Sequence, residues 1–105
     1  MPAKVESIGE VVRILLAGNF DFSTQAILAR VFDQALSIDS AKEIQVDMTD
    51  AIFIDSSVIR ALLRLQDTAR ANGKSMTIWN CNEHISEIFI IGGFDQMFVL
   101  RSRTA

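Results

Sequence analysis

The sequence predicts an α/β fold, a small mixed sheet of four to five strands with helices packed mainly on one face. Three observations carry that reading. Segments with the period-two alternation of strands take turns with segments whose apolar residues recur every three or four positions. Strands separated by helices need crossover connections, which set neighbouring strands parallel. The first two strand-like pieces instead meet at Glu6-Ser7-Ile8-Gly9-Glu10, a hairpin or tight connection that adds an antiparallel pair.

Taken in order, Val11 to Ala17 is rich in β-branched and aliphatic residues, and Arg13 at an alternate position turns one face toward water. Gly18-Asn19 breaks this strand. Asp21, Ser23 and Thr24 are all competent N-caps, so a helix begins near Ser23 and carries Ile27, Leu28, Val31, Phe32, Ala35 and Leu36 on one side. After a loop over Ser37 to Lys42, the alternation of Glu43 to Met48 predicts a half-buried strand, followed by a short acidic turn and a second apolar run. The clearest helix runs from Ser56 to Asn72, with Val58, Leu62, Leu65 and Ala69 as its core stripe and Gly73 as a left-handed cap. Lys74 to Trp79 returns as a strand. Asn82 starts a third helix bearing Ile85, Ile88 and Phe89, which Gly92-Gly93 stops. Met97 to Leu100 is a last extended piece, and Arg101 to Ala105 is expected to fray. The order is β-β-α-β-α-β-α-β.

The chain has 105 residues, which fits one domain over its whole length, residues 1–105. Hydrophobic residues make up 50% and charged residues 22%, a globular balance. A net charge of -3 gives no basic field for nucleic acid. The apolar runs are far shorter than the ~18–20 residues a membrane span needs. Met1 to Glu6 lacks the apolar core of a secretory signal, so the expected setting is cytoplasmic, with no insertion into a membrane. Cys81 stands alone, which excludes an internal disulfide framework, and His84 is the one histidine, so neither a Ser-His-Asp relay nor a multi-histidine metal site can be assembled. No glycine-rich phosphate loop is present. No cofactor or metal is expected, and the chain does not read as an enzyme.

The richest stretch is Asp47-Met48-Thr49-Asp50-Ala51-Ile52-Phe53-Ile54-Asp55-Ser56-Ser57. It leads from a strand straight into a helix and sets a serine hydroxyl at the helix start, where free N–H groups and the helix dipole favour an added anion. Asp-Ser-Ser alone is a weak signal, since Asp55 or Ser56 can simply cap the helix. Two further landmarks stand in order with it: Gly18-Asn19-Phe20-Asp21, and Gly92-Gly93-Phe94-Asp95-Gln96-Met97-Phe98. Together, over about Val11 to Leu100, they resemble the STAS domain family (sulfate transporter and anti-sigma factor antagonist).

The resemblance implies that Ser56 is the acceptor of a phosphoryl group from a partner kinase, with Ser57 the alternative acceptor. It also implies that Asp55 orients the hydroxyl or recruits the kinase's metal, and that Asp21 and Asp50 flank the site if the sheet brings their loops together. Arg60, one turn beyond Ser56, could reach an added phosphate or simply belong to a solvated face. Ile59 and Leu63 are either shoulder residues of the core or an apolar strip that meets the partner. The sequence departs from the family at Val58, where glycine is usual, and at Arg60, a position with a small residue; both add bulk near the site. A further C-terminal helix found in many standalone members is missing, which is expected to leave an apolar patch for a partner or a second copy in a homodimer to cover.

On this reading the chain is an anti-sigma factor antagonist-like module. It binds a serine-kinase anti-sigma factor or similar switch kinase, phosphorylation at Ser56 releases it, and a phosphatase resets it. The alternative is a non-switching STAS subunit of a membrane complex, such as a lipid-transporting ABC system.

Overall fold

The computed structural model describes residues 2–103, and Thr104 and Ala105 of the expected frayed end lie outside them. Strand β1 (Ala3–Ile8) turns into β2 (Val11–Phe20); a 3-10 turn (Phe22–Thr24) leads into α1 (Gln25–Leu36). Then come β3 (Glu43–Ile54), α2 (Ser56–Ala71), β4 (Ser75–Trp79), α3 (Glu83–Ile91), a second 3-10 turn (Phe94–Gln96) and β5 (Leu100–Arg101). The sheet order is β1-β2-β3-β4-β5. The β1–β2 pair is antiparallel and the others are parallel, as the hairpin and the crossovers require.

Alternation decides which face is covered. On β2, Val12, Ile14 and Leu16 are buried. The parallel register sets Val12 beside Ile44 and Ile14 beside Val46, then Ile44 beside Met76 and Val46 beside Ile78. This apolar face packs in one cluster with Leu28, Val31, Phe32 and Ala35 of α1 and with Val58, Leu62, Leu65 and Ala69 of α2. Burial of such a face is the main force holding both helices down.

The acidic stretch after Met48 is no turn. β3 continues to Ile54, and its register against β2 slips between Leu15 and Ala17 and again between Gly18 and Asn19. At each step β3 advances one residue more than β2, which is the signature of a β-bulge. The two bulges keep the strands paired until Phe20 faces Ile54, and both of those residues are fully buried.

The end of the chain also differs from expectation. Leu100–Arg101 pairs with β4, and Arg103 is fastened to the sheet face that α1 and α2 leave open. Its backbone N–H donates to Asn80 Oδ1 (2.9 Å), its Nη2 donates to Gln45 Oε1 (2.7 Å) and its Nη1 lies 3.6 Å from Asp47 Oδ2. The guanidinium sits 4.1 Å above the centre of the Trp79 ring, a cation–π contact. Gln45, Asp47 and Thr77, polar residues of that face, are thereby buried.

Lys74 closes the other end of the sheet. It is buried, and its Nζ donates to the carbonyls of Ile38 (2.8 Å) and Ala41 (2.6 Å), which satisfies the charge and ties the α1–β3 connection to β4. Replacing Lys74 with Ala strands the Ala41 carbonyl, while the Ile38 carbonyl keeps the Ala41 N–H (3.1 Å), and should cost about 1–3 kcal/mol. Urea unfolding checks this through a lower midpoint at unchanged slope.

Candidate functional site

Asp55 has an extended backbone and is the N-cap of α2. Its Oδ1 accepts from the backbone N–H of Ser57 (2.9 Å) and of Val58 (3.3 Å), and from the Ser57 hydroxyl. Its Oδ2 accepts from the Phe22 backbone N–H across the β2–α1 turn (3.2 Å), and its own N–H donates to the Phe20 carbonyl (3.2 Å). Burial pushes the carboxyl pKa up, but the bonds from Ser57, Val58 and Phe22 outweigh that and hold it below the usual aspartate value. The group is therefore an ionised clasp between two helix starts.

Asp21 organises the other side. Its Oδ1 accepts from the Ser23 backbone N–H (2.8 Å) and from the Ser23 hydroxyl. Thr24 Oγ1 accepts from the Asp21 N–H (3.0 Å) and donates to the Asp21 carbonyl (2.7 Å), a reciprocal capping arrangement. Helix α1 thus starts at Gln25, two residues later than Ser23, because the cap first closes a 3-10 turn.

The two serines part company here. Ser57 is half-buried, donates to Asp55 and accepts from Gln25 Nε2 (3.2 Å). Ser56 is exposed, and no described residue bonds to its hydroxyl. The sequence implied free N–H groups at this helix start; those of Ser57 and Val58 are taken by Asp55, so less of the helix's positive end is left for an added anion.

The remaining candidates scatter. Arg60 is exposed and makes no ion pair with a described residue. Asp50 is exposed opposite Ala17 in the β2–β3 register and lines a depression with Lys4 and Leu15; it shares no hydrogen bond with Asp21 or Asp55. Ile59, offered as part of a partner-facing strip, is 1% exposed and belongs to the core. Helix α2 packs on α1 as well as on β3 and β4, so its buried arc is wider than one stripe. Leu63 is half-buried against the same cluster. Among the described residues no group of three or more His, Cys, Asp and Glu could hold a metal ion. Burial pushes the Cys81 thiol up to about 11, far from the range of a reactive thiolate.

Phe22 and Gln25 escaped the sequence reading although both touch the clasp. They lie 33 and 32 positions from their partners, and no local pattern signals such a pairing.

A family model described as "Mlab, STAS domain" matches residues 3–101. The chain belongs to the STAS domain family. A STAS-domain containing protein of Pseudomonas aeruginosa (strain UCBPP-PA14) is 27% identical over 90 residues, 86% of this chain and 87% of that protein. The anti-sigma factor antagonist SpoIIAA in its unphosphorylated form shares the fold with a TM-score of 0.78 at 20% identity, over 97% of this chain and 88% of that one. The phosphorylated form of SpoIIAA, from Bacillus, gives 0.72 at 20% identity, over 97% and 91%. The overall structure of SLC26A9 gives 0.72 at 16% identity, but over 88% of this chain and only 17% of that one. Among the described residues no helix is long and apolar enough to cross a membrane.

Within the STAS frame, the two departures from the signature are not equivalent. Val58 is fully buried, so its side chain adds nothing to the surface at Ser56, whereas Arg60 does. Removing the clasp with Asp55→Ala should cost about 0.5–2 kcal/mol, the range of a lost N-cap, and Ile59→Ala about 2–5 kcal/mol for the cavity it leaves. Ser56→Ala should stay within about 0.5 kcal/mol of wild type, as an exposed and unbonded side chain does. Denaturant unfolding of the three variants checks all of these.

Proposed function

We propose that this STAS domain is a partner-switching module of the anti-sigma factor antagonist type. Unmodified, it binds a serine-kinase anti-sigma factor or a similar switch kinase; phosphorylation at Ser56 releases it, and a phosphatase restores it. The chain is the substrate in this cycle and the kinase the catalyst, and the setting is the cytoplasm, where kinase and ATP meet.

The observation that carries the reading is the contrast between the two hydroxyls. Ser56 is exposed and unbonded, while Ser57 is held by Asp55 and Gln25. A phosphoryl group at Ser56 adds about −1.5 to −2 units of charge beside the ionised Asp55. Arg60, on the same helical face, offsets part of it. A partner surface fitted to a neutral hydroxyl would instead meet an unpaired dianion, at a cost of several kcal/mol, and each 1.4 kcal/mol is about tenfold in affinity. The fold itself need not change. That SpoIIAA, a protein of this fold, has been seen both with and without phosphate supports the choice of chemistry.

A second reading is a non-switching STAS subunit of a membrane complex such as a lipid-transporting ABC system. It is favoured by the exposed, charged Arg60, which changes the surface beside Ser56 from that of the family signature. Co-purification with an ATPase whose activity survives Ser56→Ala would select it.

The first reading is tested by mixing the protein with a purified switch kinase of the same organism and ATP, then weighing the intact chain. Wild type and Ser57→Ala should each gain one phosphoryl group and Ser56→Ala none. An undiminished gain in Ser56→Ala would overturn the assignment.

A further inference from the structure

The side-chain hydrogen bonds on the α1 side of Ser56 serve mainly to fix one surface turn. Asp21, Ser23 and Thr24 bond among themselves, and Asp55 holds the Phe22 N–H. That turn buries no residue, so its order adds nothing to the core. Its one large side chain, Phe22, is 76% exposed. An aromatic ring held out in water on a rigid turn suits docking: rings buried in a partner's pocket dominate interface energetics, and pre-organisation spares the entropy cost of ordering the loop on contact.

Position ties this ring to Ser56. The carboxylate that holds the Phe22 backbone also caps the helix whose first residue is Ser56. Ile52 (63% exposed) lies on the β3 end that runs into Asp55 and adds apolar surface there, while the Phe53 ring beside it stacks on His84 of α3. Two carboxylates adjoin the ring: Asp21 precedes Phe22 in the chain, and Asp55 accepts from the Phe22 N–H.

We propose that Phe22 is the anchor by which the partner that reads Ser56 docks, a protein offering an apolar pocket with a cationic rim. The pocket takes the ring, the rim faces Asp21 and Asp55, and the hydroxyl is thereby presented to the kinase. This inference rests on the partner-switching reading of Ser56.

The test uses the full chain and the histidine-kinase-like ATPase-domain proteins of the same organism, each purified singly. Binding is titrated with ADP present, and phosphoryl transfer from ATP is followed by intact mass. Phe22→Ala should weaken binding at least about tenfold and slow transfer at low protein concentration in proportion, with the melting temperature unchanged. Ile91→Ala, which alters an 84% exposed residue at the end of α3, should leave both as in wild type. If wild type binds and is phosphorylated while Phe22→Ala matches it, the anchor is overturned and the Ser56 reading stands. If Ile91→Ala is as impaired as Phe22→Ala, the effect is not specific to the turn and the anchor is overturned as well. If no kinase binds or modifies wild type, the Ser56 reading falls and the anchor falls with it.

Discussion

The site depends on the Asp55 carboxylate. One oxygen closes the start of α2 through the N–H groups of Ser57 and Val58, and the other holds the turn that leads into α1 through Phe22. Three consequences follow from that one ionised group. The helix start is capped, the facing turn is fixed, and the Ser57 hydroxyl is committed. What remains uncommitted is Ser56. The same capping removes two of the donors that would make this helix start a phosphate-binding site, so the location is suited to displaying a phosphate and poorly suited to sequestering one.

The clasp exists because the sheet delivers its parts to one place. Phe20 and Ile54, both fully buried, lie side by side at the ends of β2 and β3, and the residues that follow them are Asp21 and Asp55. That alignment needs the two bulges in β3. Without the extra residues, the strand paired with β2 would reach the end of its partner before Ile54, and Asp55 would not meet Phe22. Asp47 therefore does geometric work: it accepts from the Thr49 N–H and hydroxyl at the first bulge, while Asp50 shares no hydrogen bond with Asp55.

Periodicity made the layout legible. The spacing of Val58, Leu62, Leu65 and Ala69 placed α2, the alternation in Val11 to Ala17 and Glu43 to Met48 placed two central strands, and Asp-Ser-Ser placed a capped helix start. Contacts made across the fold were not legible. The first bulge carries no glycine or proline to mark it, so acidic residues within a strand read as a turn; at the second, Gly18 (φ 91°) read as the end of a strand that in fact runs on to Phe20. Ile59 looked like a shoulder or a contact residue because a single helix pattern cannot show that α1 packs on a second side of α2. Arg103 looked like part of a loose tail, since its partners Gln45 and Asp47 lie far back in the chain. The bonds from Phe22 to Asp55 and from Gln25 to Ser57 escaped for the same reason, and they are the ones that separate the two serines.

The most direct test of the clasp needs no partner protein. The carboxyl carbon of Asp55 can be titrated by NMR alongside the amide protons of Phe22, Ser57 and Val58. The midpoint should fall below that of an ordinary aspartate, near 3.9, and the three amides should shift together at that same pH as their acceptor is neutralised. An ordinary midpoint with no response at Phe22 would show that the carboxylate does not join the two helix starts.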